Sequence, residues 1–145
     1  MPKRAMICAA LAFAIPAQAS AESWLCIADL SSGLIYRQGL NKWQTAVFDT
    51  EGKRFIIKPA VDSSQKYEVN EFGSTSKFPM AFCENGPNEY GYLFCKGLFS
   101  EFKFNTINQR YIRTYVAGYV EVVGGNDVKE GGDTPFIEIG KCSKI

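Results

Sequence analysis

Cysteines at positions 26, 83, 95 and 142, in a chain with no histidine, constrain this fold more than any other feature. Four thiols in a small domain either hold a metal or pair as disulfides. The chain has no C-x-x-C spacing and no imidazole, which argues against a zinc centre. Two disulfides are the expectation, and disulfides persist in oxidising compartments. Four cysteines allow three pairings, and spacing alone does not choose among them. Cys83 and Cys95 flank the turn-rich run Glu84-Asn85-Gly86-Pro87-Asn88-Glu89-Tyr90-Gly91. A hairpin there would bring the two together, so we favour Cys83–Cys95. The remaining pair, Cys26–Cys142, would tie the first strand to the last.

The N-terminus agrees with an oxidising destination. Lys3 and Arg4 precede an apolar run from Ala5 to Ala14, Pro16 breaks it, and Ala17-Gln18-Ala19 or Ala19-Ser20-Ala21 follows. That order is the pattern of a secretory signal peptide over residues 1–21, with one domain over residues 22–145. The run is too short to anchor the chain across a bilayer, and Cys8 leaves with the leader. The expected location is periplasmic or secreted. Removing two of the 16 basic residues, against 15 acidic ones, turns a net charge of +1 into −1. Nucleic-acid binding needs a concentrated basic face, and membrane adsorption needs a polybasic cluster. Neither is present.

The remaining chain reads as strands. Trp24–Asp29, Leu34–Arg37, Trp43–Phe48, Lys53–Lys58, Lys66–Phe72, Phe78–Cys83, Tyr92–Lys96, Leu98–Phe104, Arg110–Val122 and Phe136–Lys141 are apolar or alternating. Gly, Asn, Asp and Ser punctuate them; Leu30-Ser31-Ser32-Gly33 reads as a turn. No helical period runs beyond two turns outside the leader. These ten segments set an upper bound, and the expected fold is an all-β domain of eight or nine antiparallel strands. It would form a small closed or partly open barrel, with a β-sandwich as the alternative. A disulfide between the terminal strands favours the barrel, because closure removes both exposed edges.

Chemistry is limited by the missing imidazole. Ser-His-Asp and Cys-His nucleophiles, imidazole bases and most zinc or non-haem iron sites are unavailable. We expect no cofactor and no catalysis. Three constellations remain. On Arg110–Val122, alternation puts Ile112, Val116, Val120 and Val122 on one side, and Tyr111, Arg113, Tyr115 and Tyr119 on the other. Tyr and Arg are common interface anchors, so this face is a candidate binding surface or a cavity lining. The same residues also suit ordinary packing with wet hydroxyl tips. The loop carrying Ser74, Ser76 and Lys77 is the candidate contact loop. Asp127, Glu130 and Asp133 sit in a Gly-rich loop without calcium-loop spacing, and Glu101 with Glu138 could pair as glycosidase carboxylates.

Ser74-Thr75-Ser76-Lys77-Phe78 and Phe94-Cys95-Lys96-Gly97 together resemble C-type lysozyme inhibitors of the bacterial envelope, which are small exported β-barrels. The resemblance implies that Ser74 or Ser76 hydrogen-bonds in an enzyme's cleft while Lys77 pairs with a carboxylate. More broadly, Trp24-Leu25-Cys26, the Phe102–Val120 segment and Asp133–Cys142 resemble small exported bacterial proteins of unassigned role. The functional expectation is an exported binding module that meets an envelope or host protein, including an inhibitor. The alternative is a small-ligand carrier using the barrel interior.

Overall fold

The computed structural model describes residues 22–61, 64–120 and 129–145. The leader expected over residues 1–21 lies outside them, as do Val122 and Asp127. Nine strands form one antiparallel sheet: β1 (Trp24–Arg37), β2 (Lys42–Phe48), β3 (Arg54–Pro59), β4 (Tyr67–Glu71), β5 (Ala81–Cys83), β6 (Tyr92–Lys96), β7 (Ser100–Asn105), β8 (Arg110–Tyr115) and β9 (Phe136–Lys144). The order is β2-β1-β3-β4-β5-β6-β7-β8-β9, and β9 returns to pair with β1. Eight strands therefore close into a barrel, while β2 extends from it on β1 alone. A sandwich is ruled out. No helix among the described residues is long and apolar enough to cross a membrane.

β1 makes closure possible. Trp24–Ile27 pair with β3, Ser31–Arg37 pair with β2, and Trp24–Gly33 pair with β9 on the other side. The register shifts between Ala28 and Leu30, so Asp29 is the extra residue of a bulge, and bulges bend strands at barrel rims. The sequence reading split this segment into two strands at Leu30–Gly33. The structure corrects that to one strand, because neighbours on both edges hold the Ser-Ser-Gly run extended. Gly33 is required there: a Cβ would lie 2.1 Å from the Pro135 carbonyl oxygen.

Other boundaries move as well: the strand expected from Phe78 begins at Ala81, and the last strand, expected to end at Lys141, runs to Lys144. The strand expected to Val122 ends at Tyr115, and a one-turn helix, α1, covers Ala117–Val120. The strand expected from Leu98 begins at Ser100, leaving Leu98 on an exposed turn.

Alternation then fills the interior. Trp24, Phe55, Ile57, Val69, Leu93, Phe102 and Phe104 are buried with Cys26, Cys83, Cys95 and Cys142. The rings of Phe102 and Tyr111 stack at 4.7 Å, and Phe55 meets both edge-on at 5.9 Å. Each fully buried Phe contributes about 1.5–3 kcal/mol of burial free energy. Gly140 lets this stack sit against the wall; its Cβ would lie 2.5 Å from the Tyr111 ring.

Both expected disulfides form. Cys26 and Cys142 are cross-strand partners on the β1–β9 seam, and Cys83 joins Cys95 between β5 and β6. Their sequence separations are 116 and 12 residues. In the chain-entropy account the longer loop stabilises more. Replacing Cys26 and Cys142 by serine should cost about 5 kcal/mol, against about 3 kcal/mol for Cys83 and Cys95. Urea unfolding of the two double variants measures the difference.

Candidate functional site

At one end of the barrel the β4–β5 loop, the β6–β7 turn and the end of β8 surround an open cleft of about 470 Å³. Ser74, Ser76 and Phe78 supply one wall, Leu98 and Phe99 another, and Arg113 with Tyr115 the floor. The serine loop and the end of β8, far apart in the chain, thus meet because strand ends coincide, with no local signal in the chain.

The loop is shaped by its own serines. The Ser76 N–H donates to Ser74 Oγ at 3.1 Å, and the Phe78 N–H donates to Ser76 Oγ at 3.2 Å. The Ser76 hydroxyl donates in turn to the Phe78 carbonyl at 3.1 Å. Such side-chain to backbone bonds are why Ser favours turns. They hold Phe78 outward, 83 % exposed, facing Leu98, which is 88 % exposed. Lys77 is exposed on this loop but does not line the cleft.

Arg113 connects the cleft to the core. Its guanidinium carbon lies 5.3 Å from the Phe55 ring centre and 5.0 Å from that of Phe136. The aromatic faces attract the cation. Nη1 is 4.0 Å from Oε1 of Glu138, which is fully buried. The Tyr111 hydroxyl donates to the same oxygen at 3.1 Å. Burial pulls the Arg113 guanidinium below its ordinary range, opposed by the negative charges of Glu138 and Glu71. Arg113 Nε is buried and has no hydrogen-bond partner in the protein. Tyr115 donates its hydroxyl to Asp133 and stacks on Phe136 at 5.7 Å.

The four residues read as one face therefore separate. Tyr111 is 3 % exposed, inside the barrel. Arg113 and Tyr115 reach the cleft. Tyr119 rides on α1 against Trp43 at 5.5 Å, because the strand stops before it. Glu101 and Glu138 cannot flank one bond: Glu101 points outward and pairs with Lys103 at 3.0 Å, while Glu138 points inward. Glu130 accepts from the Trp43 indole at 2.6 Å, so with Asp133 it serves a neighbour's hydrogen bond. The reading missed Leu98 and Phe99 as rim residues and Glu138 as the partner of Arg113. Strict alternation in Phe136–Lys144 placed Glu138 among inward residues and was the available signal.

Two outcomes follow for the buried cluster. Arg113→Met strands a buried carboxylate and should cost about 3–5 kcal/mol, while Arg113→Met with Glu138→Leu should recover most of it in urea unfolding. Burial, together with the charge of Glu138, holds the Tyr111 phenol well above its ordinary value of 10.0. A raised folded value gives stability that is complete below 10.0 and is lost as pH climbs beyond it. Tyr111→Phe should therefore flatten the alkaline limb of a urea-midpoint profile. Comparison with protein-family models, with curated proteins and with solved structures found no match, so the cleft is interpreted from its own geometry.

Proposed function

We propose that this protein is an exported binding module that holds a segment of an envelope or host protein at the barrel-end cleft and does not convert it. The observation that carries this reading is the convergence of the Ser74–Phe78 loop with Arg113 and Tyr115 around one opening. Exposed Phe78, Leu98 and Phe99 ring a floor that holds a cation. Aromatic and Arg residues are the usual anchors of protein interfaces. An acidic side chain of the partner would enter between the apolar lips and meet Arg113.

Catalysis finds little support here. The hydroxyls of Ser76 and Tyr115 are engaged by the protein itself, and the Ser74 oxygen accepts a backbone N–H. Asp133, the carboxylate that accepts the Tyr115 hydroxyl, also takes the Thr134 N–H. The carrier alternative needs an empty interior, whereas Phe55, Leu93, Phe102, Phe104 and Tyr111 occupy it. Two buried disulfides suit an oxidising compartment, and the leader pattern over residues 1–21 directs the chain to one.

Inhibition of a C-type lysozyme is the most specific form of the proposal. Micromolar protein should slow lysozyme-driven lysis, and Phe78→Ser with Leu98→Ser should weaken that effect about tenfold or more. Both side chains are exposed, so folding should change by no more than about 0.5 kcal/mol. Cross-linking to envelope extract, compared between the native and double-variant proteins, covers other partners. Unslowed lysis together with identical cross-linking patterns would sink the reading.

A further inference from the structure

The outer wall carries a second concave feature, away from the barrel-end cleft. Phe94, Lys103, Ile112 and Ile139 are successive cross-strand partners across β6 to β9. Phe94 and Ile139 are exposed, Ile112 is half-buried, and Tyr92 stacks on Phe94 at 5.9 Å with planes 19° apart. An outward barrel face in water is ordinarily polar by alternation. Here three apolar side chains and one tyrosine ring make a groove of about 530 Å³. That is the size of a small-molecule site, mostly apolar with a few placed polar groups.

The charges beside it are unusual. Arg110 on β8 and Lys141 on β9 line the groove and are direct cross-strand partners. Like charges directly opposite each other destabilise a sheet. Neither has an ion-pair partner among the described residues. Lys103, which lines the groove between Phe94 and Ile112, is already paired with Glu101. Asp29, the carboxylate among the lining residues, is likewise unpaired with either cation. Two facing cations at the edge of an aromatic groove complement an anion attached to an apolar body. The Arg fork and the Lys ammonium would hold it by charge-assisted hydrogen bonds.

We propose that this wall groove binds a free small organic anion, its flat apolar body on Tyr92, Phe94, Ile112 and Ile139 and its acidic group between Arg110 and Lys141. Occupancy relieves the repulsion between the two cations, which ties ligand binding to barrel stability.

The probe is 8-anilinonaphthalene-1-sulfonate, titrated by fluorescence into the disulfide-intact protein. Saturable one-to-one binding is expected, about tenfold tighter than for the uncharged N-phenyl-1-naphthylamine. Arg110→Gln with Lys141→Gln should weaken the sulfonate about tenfold and leave the uncharged dye unchanged. Phe94→Ser should weaken both dyes, and Phe78→Ser at the barrel end should weaken neither. Without dye the Arg110→Gln, Lys141→Gln protein should melt no lower than the native one, which shows that lost binding is not lost folding. At one fixed dye concentration the native protein should gain more melting temperature than the charge-removed protein. Equal sulfonate affinity in the native and charge-removed proteins would overturn the proposal, as would equal affinity for the two dyes. Loss of sulfonate binding with Phe78→Ser instead of Phe94→Ser would place the dye at the barrel end and equally overturn it.

Discussion

Closure of the β1–β9 seam is the constraint on which the architecture turns. The two strands come from opposite ends of the described chain, so their pairing closes nearly the longest loop available. Until it forms, β1 and β9 each present an unpaired edge. Cys26 stands opposite Cys142 in that register, with both sulfurs inside the barrel. The cross-link removes from the unfolded chain much of the freedom that closure would otherwise have to overcome. The bulge at Asp29 lets one strand serve the barrel with its first half and the β2 extension with its second.

Inside the closed wall, an aromatic stack meets a small polar cluster. Glu138 is an inward residue of a strand that must alternate, and its charge is tolerated because Tyr111 donates to it and Arg113 stands beside it. A buried pair of this kind adds little net stability, because desolvation offsets the attraction. Its consequence is positional. Phe55 and Phe136 flank the guanidinium, Glu138 stands beside it, and the Arg113 side chain lines the barrel-end cleft. The charge at the cleft floor therefore follows from how the core is packed. The wall groove has a different origin: its residues are outward neighbours in register, and only strand order brings them together.

Much of this was legible in the chain. Tyr92–Lys96 and Leu98–Phe104 were legible as strands, and the structure keeps both, the second from Ser100. The turn between Cys83 and Cys95 marked their pairing. Errors fell where local chemistry and tertiary context disagree. Leu30-Ser31-Ser32-Gly33 has the composition of a turn, but β2 and β9 pair with it on either side and draw it straight. Arg110–Val122 has the composition of a long strand, yet at Val116 the chain leaves the sheet for α1, and Tyr119 leaves the shared face with it. The cleft was legible only as two separate pieces, the serine loop and the Arg113–Tyr115 strand end.

By itself, the sequence determined an all-β domain, two disulfides with their pairing favoured, and the absence of imidazole chemistry. These are properties of composition and of a period-two pattern, which each segment carries alone. Tertiary structure decided that the sheet closes into a barrel, that Tyr111 is core and Tyr115 is cleft, and that Arg110 confronts Lys141. Those outcomes depend on the register between distant strands. Register is set by hydrogen bonds and packing across the closed wall, and no stretch of the chain encodes it in isolation.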